Sequence, residues 1–296
     1  MKVISNNELN YILDRMYIDR DDIEYFSSGK CGDLYLYRNR IIKIMKWHQK
    51  IVDDDIENKI NMKLYCINKL NLCGIRCPRV FKIDDRMCKL FWIHGELIVV
   101  YQMELLMQTE QVTNKMLVAD FMKKFHKVSQ TLQSDTKQTS WEDEHKSVLS
   151  VCKSDSVKKV LEELYSELSN LSRSSDVYGL IHYDSNMNNY IMSNNSIYMI
   201  DFDSVCYGWY LMDVANYLFS IFNVDIIHGK FMPIEEFKAF VSDFSKRYGL
   251  EKNNMHLRIF LKYRLAFIYG ILFCFIKDID RKNIEDLLFG GEIMQV

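Results

Sequence analysis

Residues 179–213 read GLIHYDSNMNNYIMSNNSIYMIDFDSVCYGWYLMD, and they bring His182, Asp184, Asn189 and Asp201 into one short stretch. Asp184 and Asn189 stand five apart on a polar segment, and the apolar run Ile197, Tyr198, Met199, Ile200 leads straight into Asp201. Two short strands over this region would carry the three oxygen donors to the same end of a hairpin. Such a set suits a hydroxyl, a divalent ion and a nucleotide.

Upstream, from Asp22 to Met103, the chain alternates or runs apolar in short pieces: EYFSS, DLYLYR, IIKIMK, RVFKID, KLFWIH and ELIVVYQM. These predict strands, broken by turn signals at Arg38-Asn39-Arg40 and His94-Gly95. One helical stretch interrupts them, IENKINMKLYCINKL, entered through the capping residues Asp53-Asp54-Asp55. After Glu104 the pattern turns helical: NKMLVADFMKKFHKVSQTLQ, SVKKVLEELYSELSNL, Tyr210 to Phe222, IEEFKAFVSDFSKRYG, MHLRIFLKYRLAFIYGILFCFI and IEDLLF. The expectation is a mixed α+β chain: a small antiparallel sheet with one helix over 1–103, then a mainly helical part over 104–296. A short hinge near Gln102 to Leu106 would join them. Residues 150–175 read as a helical insertion placed to wall an acceptor site.

The formal net charge is −2, from 38 basic and 40 acidic residues, with no long run of either sign. That argues against nucleic acid and an anionic membrane as the main partner and favours a small or mixed-charge substrate. Eight cysteines without a Cys-x-x-Cys pair, and a start MKVISNNELN without an apolar core, point to a reduced, cytoplasmic protein. The longest strongly apolar run, Leu265 to Ile276, is too short for a bilayer span and reads as a core helix.

Phosphoryl transfer needs a cradle for phosphates, a cation to hold them, a base for the acceptor hydroxyl and oxygen ligands for magnesium. Phe26 to Asp33, FSSGKCGD, joins two strands, and a turn with Ser28, Gly29 and Gly32 can aim amides at phosphate oxygens, although many such turns are plain hairpins. Lys43 lies in the middle of IIKIM; it either faces solvent or is buried against a carboxylate, for which Glu57 is the nearest candidate. Asp184 is placed to accept the hydroxyl proton, and Asn189 and Asp201, with Asp203 as a further donor, are hard ligands suited to magnesium. His182 is grouped with the catalytic residues, its alternative role being a scaffold that bonds loop carbonyls. Asp213 is expected to organise the loop.

These residues carry a resemblance. His182 to Asn189, HYDSNMNN, resembles the His-x-Asp-x-x-x-x-Asn loop of the aminoglycoside phosphotransferase and choline kinase family, and Ile200-Asp201-Phe202-Asp203 resembles its metal-binding segment. Tyr207 to Ala215 is similar to the stretch where a glycine precedes Asp-Leu-Ala, and Phe121 to His126 to the helix ending in Leu-His. The resemblance implies a protein-kinase-like two-lobed fold, a Lys43–Glu57 ion pair, Asp184 as base, and Asn189 and Asp201 on magnesium. Adenine would lie against the hinge, with Gln102, Met103 and Glu104 binding the cofactor, which is ATP or GTP. Many family members carry glycine where this chain has Tyr183, and His-Pro-Gly where it has Asn186-Met187-Asn188.

The leading expectation is thus a kinase that phosphorylates a hydroxyl of a small molecule. The alternatives are a catalytically inactive kinase-fold module and a protein-directed kinase, the last disfavoured by the lack of an Ala-Pro-Glu-like segment after Asp201. A polycationic acceptor would want carboxylates such as Glu142, Asp143, Glu144, Asp278, Asp280, Glu285 and Asp286. A choline-like one would want an aromatic cage from Trp209, Tyr210, Tyr263, Phe267 and Tyr269. The oligomeric state is not encoded legibly.

Overall fold

The computed structural model describes residues 2–29, 32–47, 56–107, 110–132, 139–250 and 255–290. The Asp53-Asp54-Asp55 cap, and Lys30 and Cys31 of the glycine turn, lie outside the described residues. The chain divides into two compact units, Met1–Gln108 and Thr109–Val296.

The first unit contains α1 (Asn6–Met16), β1 (Ile23–Ser28), β2 (Gly32–Tyr37), β3 (Arg40–Lys46), α2 (Ile56–Leu72), β4 (Val80–Phe81), β5 (Lys89–Ile93) and β6 (Glu96–Glu104). All strands pair antiparallel in the order β1-β2-β3-β6-β4, with β5 also on β6. The β5–β6 turn takes His94 and Gly95 through φ of 51° and 81°. Two consecutive left-handed residues match the right-handed strand twist, hence the glycine.

Helix α1 is an addition to the single helix expected here. Its signal was Ser5-x-x-Glu8: the Ser5 hydroxyl accepts from the Glu8 amide, and the Glu8 carboxylate accepts from the Ser5 amide at 2.7 Å. Leu9, Ile12 and Leu13 keep helical spacing and bury against Tyr35, Ile42, Ile44 and Ile98 of the sheet. Each such side chain contributes roughly 2 kcal/mol.

The second unit contains β7 (Glu110–Gln111), α3 (Met116–Ser129), α4 (Trp141–Val151), α5 (Asp155–Ser169), β8 (Tyr178–Ile181), β9 (Tyr190–Ser193), β10 (Ser196–Met199), β11 (Cys206–Trp209), α6 (Tyr210–Phe222), β12 (Asn223–Asp225), β13 (Lys230–Phe231), α7 (Ile234–Tyr248), α8 (Met255–Leu272) and α9 (Asp278–Phe289). Helix α6 is apolar on nearly every face and almost wholly buried, as a central helix must be. It packs along α8, while α3 packs on α7 and α5 on α8. Among the described residues no helix is long and apolar enough to cross a membrane.

Helix α4 delivers Trp141 and His145 into an aromatic core. The His145 ring stacks on Tyr165 at 4.5 Å, and its Nδ1 lies 3.2 Å from the Tyr263 hydroxyl. Burial lowers its pKa to about 4, so the folded chain holds it neutral where the unfolded chain would protonate it. Stability from this group is therefore complete above about pH 6.5 and is lost as pH falls toward 4, by up to roughly 3 kcal/mol. Thermal melts at pH 7 and pH 4.5 should show a smaller acid loss in His145→Phe than in the parent. Equal losses would remove His145 from the account.

Candidate active site

The loop after β8 is built in the second unit by two short antiparallel pairs. β8 pairs with β11, and β9 with β10 in a register that sets Tyr190 opposite Met199. The Ile200 amide donates to the Asn189 carbonyl at 2.9 Å. Asn189 and Asp201 therefore leave the same end of the β9–β10 hairpin.

Asp213, in the first turn of α6, is completely buried and fixes the loop backbone. Its Oδ2 accepts from the His182 amide at 2.9 Å and its Oδ1 from the Tyr183 amide at 2.8 Å. His126 Nε2 lies 3.1 Å from Oδ2, and His126 Nδ1 lies 2.7 Å from the Tyr248 hydroxyl. A buried carboxylate survives folding only with such donors around it. Asn216, one helical turn further along α6, donates to the Tyr183 carbonyl. Thus α6, α3 and α7 all hold the loop, and Asp213 organises it as the sequence implied.

Tyr183 adopts φ of 63°, the left-handed region that costs a side-chain-bearing residue about 1–2 kcal/mol. That explains why glycine suits this position. Here the tyrosine ring is 4 % exposed and meets Phe267 of α8 edge-on at 5.9 Å, so packing offsets the backbone cost. Burial raises its phenol pKa well above the ordinary value, so the ring stays neutral.

His182 is fully buried, with Nε2 2.8 Å from the Ile200 carbonyl and the ring edge-on to Phe202. The carbonyl can only accept, so Nε2 carries the proton, an assignment made from the partner. Nδ1 is sealed without a partner. This corrects its grouping with the catalytic residues: it is the scaffold that ties the loop to the segment entering Asp201.

Asp184 is half-buried, its side chain 40 % exposed. Asn189 Nδ2 donates to the Asp184 carbonyl oxygen at 2.7 Å and approaches Oδ2 at 3.3 Å. An amide whose nitrogen is so committed turns Oδ1 the other way, as a free hard donor. Asp201 is exposed, with φ and ψ of 62° and 63°, and opens the turn Phe202–Ser204 that contains Asp203. Among the described residues no three His, Cys, Asp or Glu side chains group to hold a metal unaided. Two carboxylates and an amide fit magnesium instead, which retains waters and takes phosphate oxygens.

Sequence reading missed Arg264 of α8, whose Nη2 donates to Asp184 Oδ1 at 3.2 Å. Eighty positions separate the two, and an arginine in an apolar helix carries no local signal of its partner.

In the first unit, Lys43 is 8 % exposed between fully buried Ile42 and Ile44, which removes the solvent-facing alternative. Glu57 lies in the first turn of α2, and its carboxylate accepts from Arg86, a partner the sequence did not suggest. The Gly29 amide donates to the Gly32 carbonyl at 2.8 Å, closing the β1–β2 turn. A Cβ on Gly32 would stand 2.5 Å from the Ile44 carbonyl oxygen, so close strand approach alone demands glycine there. The Ser28 hydroxyl donates to Asp33, which is fully buried and also accepts from the Val3 and Ile4 amides at 3.0 Å and 2.8 Å. Gln102 and Met103 pair with both β3 and β4, and the Glu104 amide donates to the Arg79 carbonyl. Gln102, Met103 and Glu104 are thus strand residues, and the ladder runs through Glu104.

Four of the seven candidate acceptor carboxylates, and all five aromatics, have partners or places elsewhere in the fold. Glu142 pairs with Arg173, Asp143 caps α4, Asp278 pairs with Arg281, and Glu285 accepts from the Tyr269 hydroxyl. Trp209, Tyr210, Tyr263, Phe267 and Tyr269 are all buried in the core. Tyr210 stacks on His126, and Trp209 meets Trp141 edge-on.

Comparison with known proteins accords with this architecture. Residues 66–253 match the model of the phosphotransferase enzyme family. Amicoumacin kinase of Bacillus subtilis (strain 168) is 28 % identical over 120 residues, 38 % of this chain and 34 % of that protein. The match thus spans about a third of that relative's length. Among solved structures, an amicoumacin kinase in complex with AMP-PNP, Ca2+ and Ami superposes with a TM-score of 0.77 at 18 % identity, covering 98 % of this chain and 97 % of that one. A microcompartment-associated aminopropanol kinase gives 0.70 at 16 % identity, covering 97 % and 95 %. These likenesses show a kinase-like fold, and the family match over most of the chain shows that it belongs to the phosphotransferase enzyme family.

Proposed function

We propose that the protein transfers the γ-phosphate of ATP, or of GTP, to a hydroxyl of a small molecule. The observation that carries this reading is the Asp184–Asn189 contact, on a loop whose backbone is fixed by Asp213 and beside a hairpin end that also presents Asp201. Asp184 accepts the hydrogen of the acceptor hydroxyl, points the hydroxyl's lone pair at the γ-phosphorus, and takes the proton as the new P–O bond forms and the bond from that phosphorus to the β,γ-bridging oxygen breaks, releasing the nucleoside diphosphate. Asn189 Oδ1 and Asp201 hold magnesium, with Asp203 as a further donor. Magnesium, when bound, neutralises charge on the phosphates. Lys43 supplies a fixed cation for phosphate oxygens, and the Gly29–Gly32 turn offers backbone amides. Adenine recognition falls to backbone groups after Glu104, the last residue of the ladder.

A relative named an amicoumacin kinase and a structural neighbour named an aminopropanol kinase support starting the search for an acceptor among small amine-bearing alcohols. The test is a magnesium-dependent nucleotide-consumption screen against amicoumacin, aminoglycosides, choline, 1-amino-2-propanol and sugars. One acceptor should raise turnover well above the background of the Asp184→Asn variant. A parent that matches that variant throughout, and whose melting point ATP and magnesium leave unmoved, would leave a kinase fold without catalysis.

Lys43→Met keeps side-chain volume and removes the charge. Its kcat/KM should fall on the order of a hundredfold while stability changes by less than about 2 kcal/mol. A comparable loss in both would mark Lys43 as a structural lysine.

A further inference from the structure

Arg264 is an arginine that the loop motif does not call for. Its side chain is 10 % exposed, against 40 % for the Asp184 carboxylate that it holds. The base is within reach of solvent and its partner is not. The guanidinium lies 5.5 Å from the Phe267 ring centroid, and Phe267 in turn meets Tyr183 of the loop. Arg264 Nε is buried without a hydrogen-bond partner, a cost that a surface ion pair would avoid by turning to water. Packing rather than charge alone therefore fixes the fork in place.

Two donors divide the carboxylate. Arg264 takes Oδ1, and Asn189 approaches Oδ2. We propose that Arg264 is a positioning residue that holds Asp184 by Oδ1 and presents Oδ2 to the acceptor hydroxyl. This rests on the reading of Asp184 as the hydroxyl-orienting base.

The test uses water as the acceptor. In magnesium-dependent ATP hydrolysis, Arg264→Gln should lower kcat about 10- to 100-fold with the KM for ATP within about twofold, and Arg264→Lys should recover most of the rate. The proposal is overturned if kcat is unchanged or if Lys rescues nothing. Failure of the functional reading looks different: parent and Asp184→Asn then hydrolyse ATP equally.

Discussion

Asp184→Asn should lower acceptor-dependent turnover by about 10²- to 10⁴-fold, the range that a positioned general base commands. The substitution preserves shape and keeps an oxygen for Arg264, while Asn189 Nδ2 retains the Asp184 main-chain carbonyl at 2.7 Å. The loop should therefore hold its course and the melting temperature should move little. The loss belongs in kcat, because the carboxylate is proposed to act on the hydroxyl as the P–O bond forms. Steady-state kinetics with a turned-over acceptor decide it. A variant within tenfold of the parent would exclude Asp184 as the base and shift attention to the other carboxylates of the loop.

The second large effect is expected at Asp213. Asp213→Ala strands the buried His182 and Tyr183 amides and His126 Nε2 together, and should cost roughly 3–5 kcal/mol. Asp213→Asn is the more discriminating change. With its nitrogen at the Oδ1 position it faces the Tyr183 amide, and at the Oδ2 position it faces the His182 amide. Donor meets donor in either orientation, and only His126 can adapt by changing tautomer. A loss of roughly 2 kcal/mol follows, read from urea midpoints, together with lower turnover as the loop loses its fixed backbone. A neutral Asp213→Asn would mean that the loop holds itself without α6.

Much of this architecture is legible in local pattern. The helix over Tyr210 to Phe222 begins and ends where the sequence places it, because nearly every residue in it is apolar and the strand pair before it leaves no room for another start. The β9–β10 hairpin is likewise readable from four apolar residues ahead of Asp201. Helix α1 has a capping box and a clear apolar stripe, yet it precedes the strand-rich segment from Asp22 on which the reading of one helix over 1–103 is built. Partners over long separations were not legible: Arg264 to Asp184, Arg86 to Glu57, and Asp33 to the Val3 and Ile4 amides depend on tertiary approach. The candidate acceptor residues show the opposite case. Composition alone nominated them, and the fold commits Glu142, Asp143, Asp278, Glu285 and the five aromatics to ion pairs, a cap, a hydrogen bond and the core.

Helix α8 presents Tyr263, Arg264 and Phe267 over one turn, and all three converge on Tyr183 and Asp184. A lineage, or a directed-evolution library, could therefore vary what this enzyme accepts by mutating that single turn and leave every reacting oxygen in place. Drift toward new substrates should leave its record in α8 before it touches the loop.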